Sequence, residues 1–229
     1  MNTKHKKPTL TKKQRHRLRV QQVRRQKIFL TCLFLLIVGC ILLRFSKFSG
    51  RQEEAHQINA ACEAYRDEVS SEAAQYDMSK YVDLILAVMM QESSGQGTDP
   101  MQSSEGAYNT RYPQQPNGIT DPSYSISCGI QELKYALDKA GCTGPTDLSK
   151  IRLALQAYNF GADSYFAYLE ENGQTVWTAQ SAQAFAQMAS GNTQRDEDDP
   201  LHDPAGPWDY GDQYYPDHVL RYYHLDNNS

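Results

Sequence analysis

The 229-residue sequence has no Cys-x-x-Cys pair and no His-x3-His spacing, so nothing in it makes a case for zinc. It lacks the Gly-x-Ser-x-Gly turn that would announce a serine hydrolase. No convincing run of alternating β-branched residues appears, which argues against a sheet. Of five cysteines, Cys32 and Cys40 fall in an apolar N-terminal run. The odd three that remain, Cys62, Cys128 and Cys142, are no disulfide framework. Cys128 and Cys142 stand at the two ends of an expected helix, and geometry decides whether they bridge. Acidic charge is absent from residues 1–27, which carry eleven Lys and Arg; the other 202 residues hold 12 basic against 27 acidic ones.

The basic arm runs into Ile28-Phe-Leu-Thr-Cys-Leu-Phe-Leu-Leu-Ile-Val-Gly-Cys-Ile-Leu-Leu43, sixteen residues without charge, then Arg44. This is somewhat short for a spanning helix. Snorkelling of Lys27 and Arg44, together with Phe45, extends it to a single-pass anchor over residues 28–45. The positive-inside rule keeps the arm, residues 1–27, cytoplasmic and the C-terminal bulk outside the membrane. A cleaved signal fits less well, because no small-x-small site comes after the run. Ile37-Val-Gly-Cys40 offers a lipoprotein alternative, but the apolar run continues past Cys40. Beside a membrane segment the arm reads as a topology and anionic-lipid element, and no nucleic-acid partner is expected.

Residues 46–57 read as a polar linker and 58–229 as one all-α domain. Helices are expected over 58–76, over an apolar stretch ending at Glu92, and over 124–140 with Ser123 or Ser125 as N-cap and Gly141 as stop. Further helices are expected over 148–159, 162–171, 179–189 and 217–224. Residues 98–123, rich in Gly, Pro, Asn, Ser and Asp, form a loop long enough to suggest function. Arg195-Asp-Glu-Asp-Asp199 lacks the alternate oxygens and central Gly of an EF-hand and reads as a solvated charge run. No metal or cofactor is expected.

Between Tyr81 and Met90 only Asp83 is charged, so that helix is apolar nearly all round and belongs in the core. Gly95 and Gly97 stop it, placing Glu92 in its last turn. Desolvation and the negative end of the helix dipole both disfavour a charged Glu92, so it should hold its proton and act as a donor. The plain alternative is a helix-terminal Glu facing water.

Four islands stand in order: Gln91-Glu92-Ser93-Ser94-Gly95; Asp99-Pro-Met-Gln-Ser-Ser-Glu-Gly106; Ser125-Ile-Ser-Cys-Gly-Ile-Gln-Glu-Leu133; and Leu155-Gln-Ala-Tyr-Asn-Phe-Gly-Ala162. Tyr215-Pro-Asp-His-Val-Leu-Arg-Tyr222 closes the set. Together they resemble the lysozyme-like superfamily of goose-type lysozymes and soluble lytic transglycosylases, and within it the CwlT-type bacterial lysozyme domain. The resemblance runs from about Ala60 to Tyr223. It implies a lysozyme-like fold and cleavage of the glycan strand of peptidoglycan between N-acetylmuramic acid and N-acetylglucosamine. Glu92 would be the general acid, with Ser93, Gln102, Ser104, Tyr158 and Asn159 on the sugar side, Asn159 bonding either the substrate or the loop. An equal alternative for Tyr158 is a core tyrosine with a satisfied hydroxyl.

A second carboxylate is harder to assign. Asp99 is favoured as the base that positions water, with a loop-structuring Asp as the alternative, while Asp121 before Pro122 sets a turn. Ser104 stands where goose-type enzymes carry an Asp, so the correspondence is incomplete. Lytic transglycosylases need no such base, because the sugar's own 6-hydroxyl attacks. A cysteine peptidase would need Cys128 beside His202, His218 or His224. A non-catalytic glycan-binding scaffold would not need Glu92. The expectation is therefore a membrane-anchored muramidase outside the cell, facing the wall, with a secretion or conjugation apparatus of Gram-positive bacteria as partner by resemblance.

Overall fold

A computed structural model describes residues 56–224. The basic arm, the anchor and most of the linker expected from the sequence lie outside the described residues. Among those described, all regular structure is helical, apart from one isolated antiparallel bridge between Gln194 and Trp208. None of these helices is long and apolar enough to cross a membrane.

Helix α3, Val82–Glu92, is the axis of the fold. Leu84, Ile85, Leu86, Ala87, Val88 and Met89 are buried without a break, which only a helix enclosed on every side allows. Each large side chain so enclosed contributes roughly 1.5–3 kcal/mol. A short 3₁₀ turn, Ser79–Tyr81, leads into it. The expected helix over 58–76 is two pieces, α1 (Ala60–Glu63) and α2 (Arg66–Gln75). Tertiary contact redirects the first: Asn59 Oδ1 caps Cys62 N at 2.8 Å while its Nδ2 donates to Ser94 O at 3.0 Å, past the end of α3.

Helix α4, Pro122–Ala140, starts earlier than expected and is capped by Asp121, whose side chain accepts from the amides of Ser123 and Tyr124. Proline at the first position loses no hydrogen bond and is pre-set for the helical φ. Gly141 ends α4 in the left-handed region, φ 69°, as the sequence indicates. Helices α5 (Leu148–Phe160), α6 (Ala162–Glu171) and α7 (Ala179–Ala189) keep closely to the expected limits. Thr178 and Ser181 form a reciprocal capping box on α7. A four-residue α8, His202–Ala205, and the closing α9, Tyr215–Leu220, complete the chain. The last begins before the expected Asp217, because Pro216 favours a first turn.

Helix α5 packs along α4, and α9 lies across both α5 and α3. Phe160, Tyr165, Phe185 and Tyr210 close one end with ring centroids 5.1–5.8 Å apart. The acidic run is exposed from Asp196 to Asp198, as expected. Its neighbour Arg195 is buried, its guanidinium donating to the carbonyls of Gly206, Trp208 and Gly211. Cys62, Cys128 and Cys142 are all free thiols, so the bridge left open by the sequence does not form.

Candidate active site

The apolar helix delivers Glu92 at its last position, and Ser93 turns the chain away. Ser93 Oγ donates to Pro100 O at 2.8 Å and accepts from Gly95 N at 3.1 Å, so it fastens the helix end to the next loop. Gly95 is obligatory here. Its φ is 73°, and a Cβ would lie 2.7 Å from the backbone nitrogen of Cys62.

Glu92 keeps some solvent contact but is ringed by protein. Burial pushes its carboxyl up to about 7, with the charges of Asp212 and Asp99 adding to the rise and a hydrogen bond from Tyr215 opposing it. The Tyr215 hydroxyl donates to Glu92 Oε1 from α9, 123 residues away. Tyr158, on α5, stacks on Tyr215 with centroids 6.3 Å apart and donates its hydroxyl to Met101 O at 3.0 Å. Burial first, and the Glu92 charge second, hold both phenols well above their ordinary range, so they stay protonated donors.

Asp99 is only 2 % exposed. Its Oδ1 accepts from Ser103 N at 3.0 Å and Ser125 Oγ at 2.6 Å. Its Oδ2 accepts from Ser104 N at 3.2 Å and from the Ser104 hydroxyl. Four donors fill the lone pairs of one carboxylate, leaving none to hold a water. Of the two roles open to Asp99, this geometry fits the loop-structuring one and not the water-positioning base. Ser104, 1 % exposed, also accepts from Ile119 N at 2.8 Å and presents nothing to a ligand.

Gln102 is exposed at φ 49°, and its Nε2 donates to Asp99 O at 3.0 Å and Asn117 Oδ1 at 3.2 Å. It rides on the Asp99 turn. Met101 beneath it is buried against Gly129, where a Cβ would come within 2.6 Å of Met101 Cβ. Asn159 is tied to the second loop through its Oδ1, which accepts from Asp212 N at 2.8 Å. The carbonyl of Asp212 accepts from Gln156 Nε2 at 2.8 Å, and its side chain pairs with His218 Nδ1 at 2.5 Å.

The structure thus brings Glu92 and Tyr158 together, with Gln102 on the loop beside them. Ser93, Asp99, Ser104 and Asn159 each make hydrogen bonds within or to the two loops. Tyr215, the hydrogen-bond partner of Glu92, and Asp212, a nearby charge, are not singled out by sequence reasoning. Tyr215 lies in the closing motif, yet only the crossing of α9 over α3 reveals its contact. Cys128 is fully buried, and burial raises its thiol. None of its hydrogen-bond partners among the described residues is a His, contrary to what a peptidase nucleophile needs. Among the described residues no three His, Cys, Asp or Glu are grouped to hold a metal ion.

A protein-family model described as Lysozyme-like matches residues 60–223. The bifunctional muramidase/DL-endopeptidase CwlT of Bacillus subtilis (strain 168) is 35% identical over 173 residues, covering 76% of this chain and 43% of CwlT. The uncharacterized membrane protein YocA of the same organism is 40% identical over 111 residues, 48% of this chain and 45% of YocA. This chain therefore spans less than half the length of either relative. A crystal structure from Staphylococcus aureus subsp. aureus Mu50, of a protein similar to a lipoprotein of the NLP/P60 family, superposes with a TM-score of 0.62. It is 26% identical and covers 76% of this chain and 56% of that one.

Proposed function

Because this chain belongs to the lysozyme-like family, we propose that it is a peptidoglycan-cleaving muramidase with Glu92 as its general acid. The observation that carries this reading is a carboxyl, pushed up to about 7 by burial, at the end of the core helix with Tyr215 orienting it. A glycosidic oxygen leaves poorly until protonated, and a donor near neutrality supplies that proton. Gln102 contacts the sugar from its exposed turn. Tyr158 and Tyr215 form the wall behind Glu92. Asp99, Ser104 and Asn159 position the loops without touching substrate.

The apolar segment at residues 28–45 anchors the enzyme in the membrane, and the muramidase domain faces the wall. The membrane-protein name of YocA is in keeping with that placement. Such an anchor confines cleavage to nearby wall, which suits local remodelling. Work beside a conjugation or secretion apparatus belongs to this reading by resemblance to CwlT-type domains.

One observation favours a second reading. With the oxygens of Asp99 occupied, a lytic transglycosylase, in which the 6-hydroxyl of muramic acid attacks, needs no other base. Mass spectrometry of peptidoglycan digested by the purified full chain separates the two. Reducing N-acetylmuramic ends are expected; 1,6-anhydro ends, lighter by one water, would establish the transglycosylase, and an undigested wall would overturn both.

Since the donor works only when protonated, the rate should fall as pH rises through about 7. Tyr215→Phe removes the hydrogen bond that lowers the Glu92 carboxyl. The alkaline limb of the pH–rate profile should therefore move to higher pH. The maximal rate should drop about tenfold, as for one hydrogen bond to a charged group of roughly 1.5 kcal/mol. An unmoved limb would mean that Tyr215 does not tune Glu92.

A further inference from the structure

A polar cavity of about 560 Å³ lies between the end of α2, the first half of α4 and the loop at residues 107–111. Its lining includes none of Glu92, Gln102, Tyr158 and Tyr215. The walls are pinned by their own hydrogen bonds. The Tyr124 hydroxyl accepts from Thr110 N at 3.0 Å and donates to Tyr108 O at 3.2 Å, fastening the loop to α4. The Tyr76 hydroxyl meets Ser127 Oγ at 3.1 Å and ties in the end of α2. Arg111 lies over the Tyr124 ring, its guanidinium carbon 4.5 Å from the centroid. Stacking holds the planar cation while leaving its N–H edge to face a ligand. Among the described residues Arg111 donates only through its backbone N, to Asn109 Oδ1 at 3.3 Å.

Glu72 and Asp121, both half-buried, line the same cavity. Glu72 Oε2 accepts from Gln75 Nε2 at 2.7 Å, and Asp121 Oδ1 caps α4. The other oxygen of each has no hydrogen-bond partner among the described residues. Neither acid forms an ion pair with Arg111, although all three charges share one cavity. Separated charges of both signs between tyrosine walls complement a ligand that itself carries both signs. A neutral glycan offers neither charge, and a phosphate would meet two carboxylates.

The cavity is coupled to the Gln102 turn through buried Asn109. Its Nδ2 donates to Ser104 O at 2.7 Å and Tyr112 O at 3.1 Å, and its Oδ1 accepts from Tyr112 N at 3.0 Å. Ser104 is in turn bonded to Asp99, on whose turn Gln102 rides. One hydrogen-bonded loop therefore carries both Gln102 and Arg111.

We propose that this cavity is a second subsite, which binds the zwitterionic peptide stem that peptidoglycan bears on its muramic acid. Arg111 takes a stem carboxylate, and Glu72 with Asp121 takes the side-chain ammonium of the stem's diamino residue. Identifying the ligand as a stem rests on the muramidase reading. An amine spent in a cross-link is a neutral amide, so the cavity selects stems that are not yet cross-linked.

The test is calorimetric titration of the full chain, in mild detergent, with the pentapeptide acetyl-L-Ala-γ-D-Glu-L-Lys-D-Ala-D-Ala. Wild type should bind it. Arg111→Gln should weaken binding about tenfold, as for loss of a charge-assisted bidentate contact. Acetylating the lysine amine should weaken binding to wild type by a similar factor, and Glu72→Gln should narrow that gap. Arg111 is exposed, so its replacement leaves the core intact. No binding by wild type would overturn the proposal. So would a change within about twofold for Arg111→Gln, the scale of an exposed ion pair. Displacement of the peptide by stem-free glycan would overturn it too, marking a sugar subsite. Cleavage of purified peptidoglycan is measured in parallel. Cleavage without peptide binding would remove this subsite alone, whereas peptide binding without cleavage would sink the muramidase reading and leave the peptide site standing.

Discussion

Glu92→Gln is expected to cut the rate of wall cleavage about 10²–10⁴-fold and, at pH 8, to make the protein more stable. The two effects have one cause. A glutamine preserves the shape of the side chain and its contact with Tyr215 but has no proton to give. It also carries no charge to bury. In the folded chain Glu92 titrates near 7, against 4.5 for an unconstrained carboxyl. Between those values the native state holds a proton that the unfolded chain has released, so stability falls as pH rises through the window. Above it the full cost is present, roughly 1–3 kcal/mol for a group that keeps some solvent contact. Thermal denaturation should therefore show Glu92→Gln melting a few degrees above wild type at pH 8 and level with it at pH 4. Equal melting at both values would mean that Glu92 is not desolvated.

Asp99→Ala is expected to lose about 3–5 kcal/mol of stability, and most of the activity with it. The carboxylate satisfies two buried amides, Ser103 and Ser104, and two serine hydroxyls. Alanine leaves those amides without partners in a region that water does not reach. It also frees the turn on which Gln102 rides. Urea denaturation measured beside the cleavage assay distinguishes the roles. A positioning residue loses both quantities together. Lost cleavage with unchanged stability would instead make Asp99 the catalytic base.

The helices can be read from the chain because their signals are local. The unbroken apolar run of α3, Gly141 at a left-handed stop and the Ala-rich pattern of α7 each act over a few neighbouring residues. The donor character of Glu92 comes from the same local logic of an apolar helix that ends in a carboxylate. The partners of the site are not legible, since 123 residues separate Tyr215 from Glu92 and 53 separate Asn159 from Asp212. Asp99 misleads for a related reason. Sequence shows an acid in a loop but not the turn that folds Ser103 and Ser104 back onto it.

The segment that enters the domain has a mechanical meaning. Asn59 is bonded to Ser94, two residues past Glu92, and the His56 carbonyl accepts from His224 Nε2 at 3.2 Å. The described segment thus begins and ends at one place, and that place adjoins the end of α3. Tension applied through the chain ahead of His56 enters at these two bonds before it reaches any other part of the core. It would load the turn that aims the acid while leaving the aromatic cluster of Phe160 and Phe185 slack.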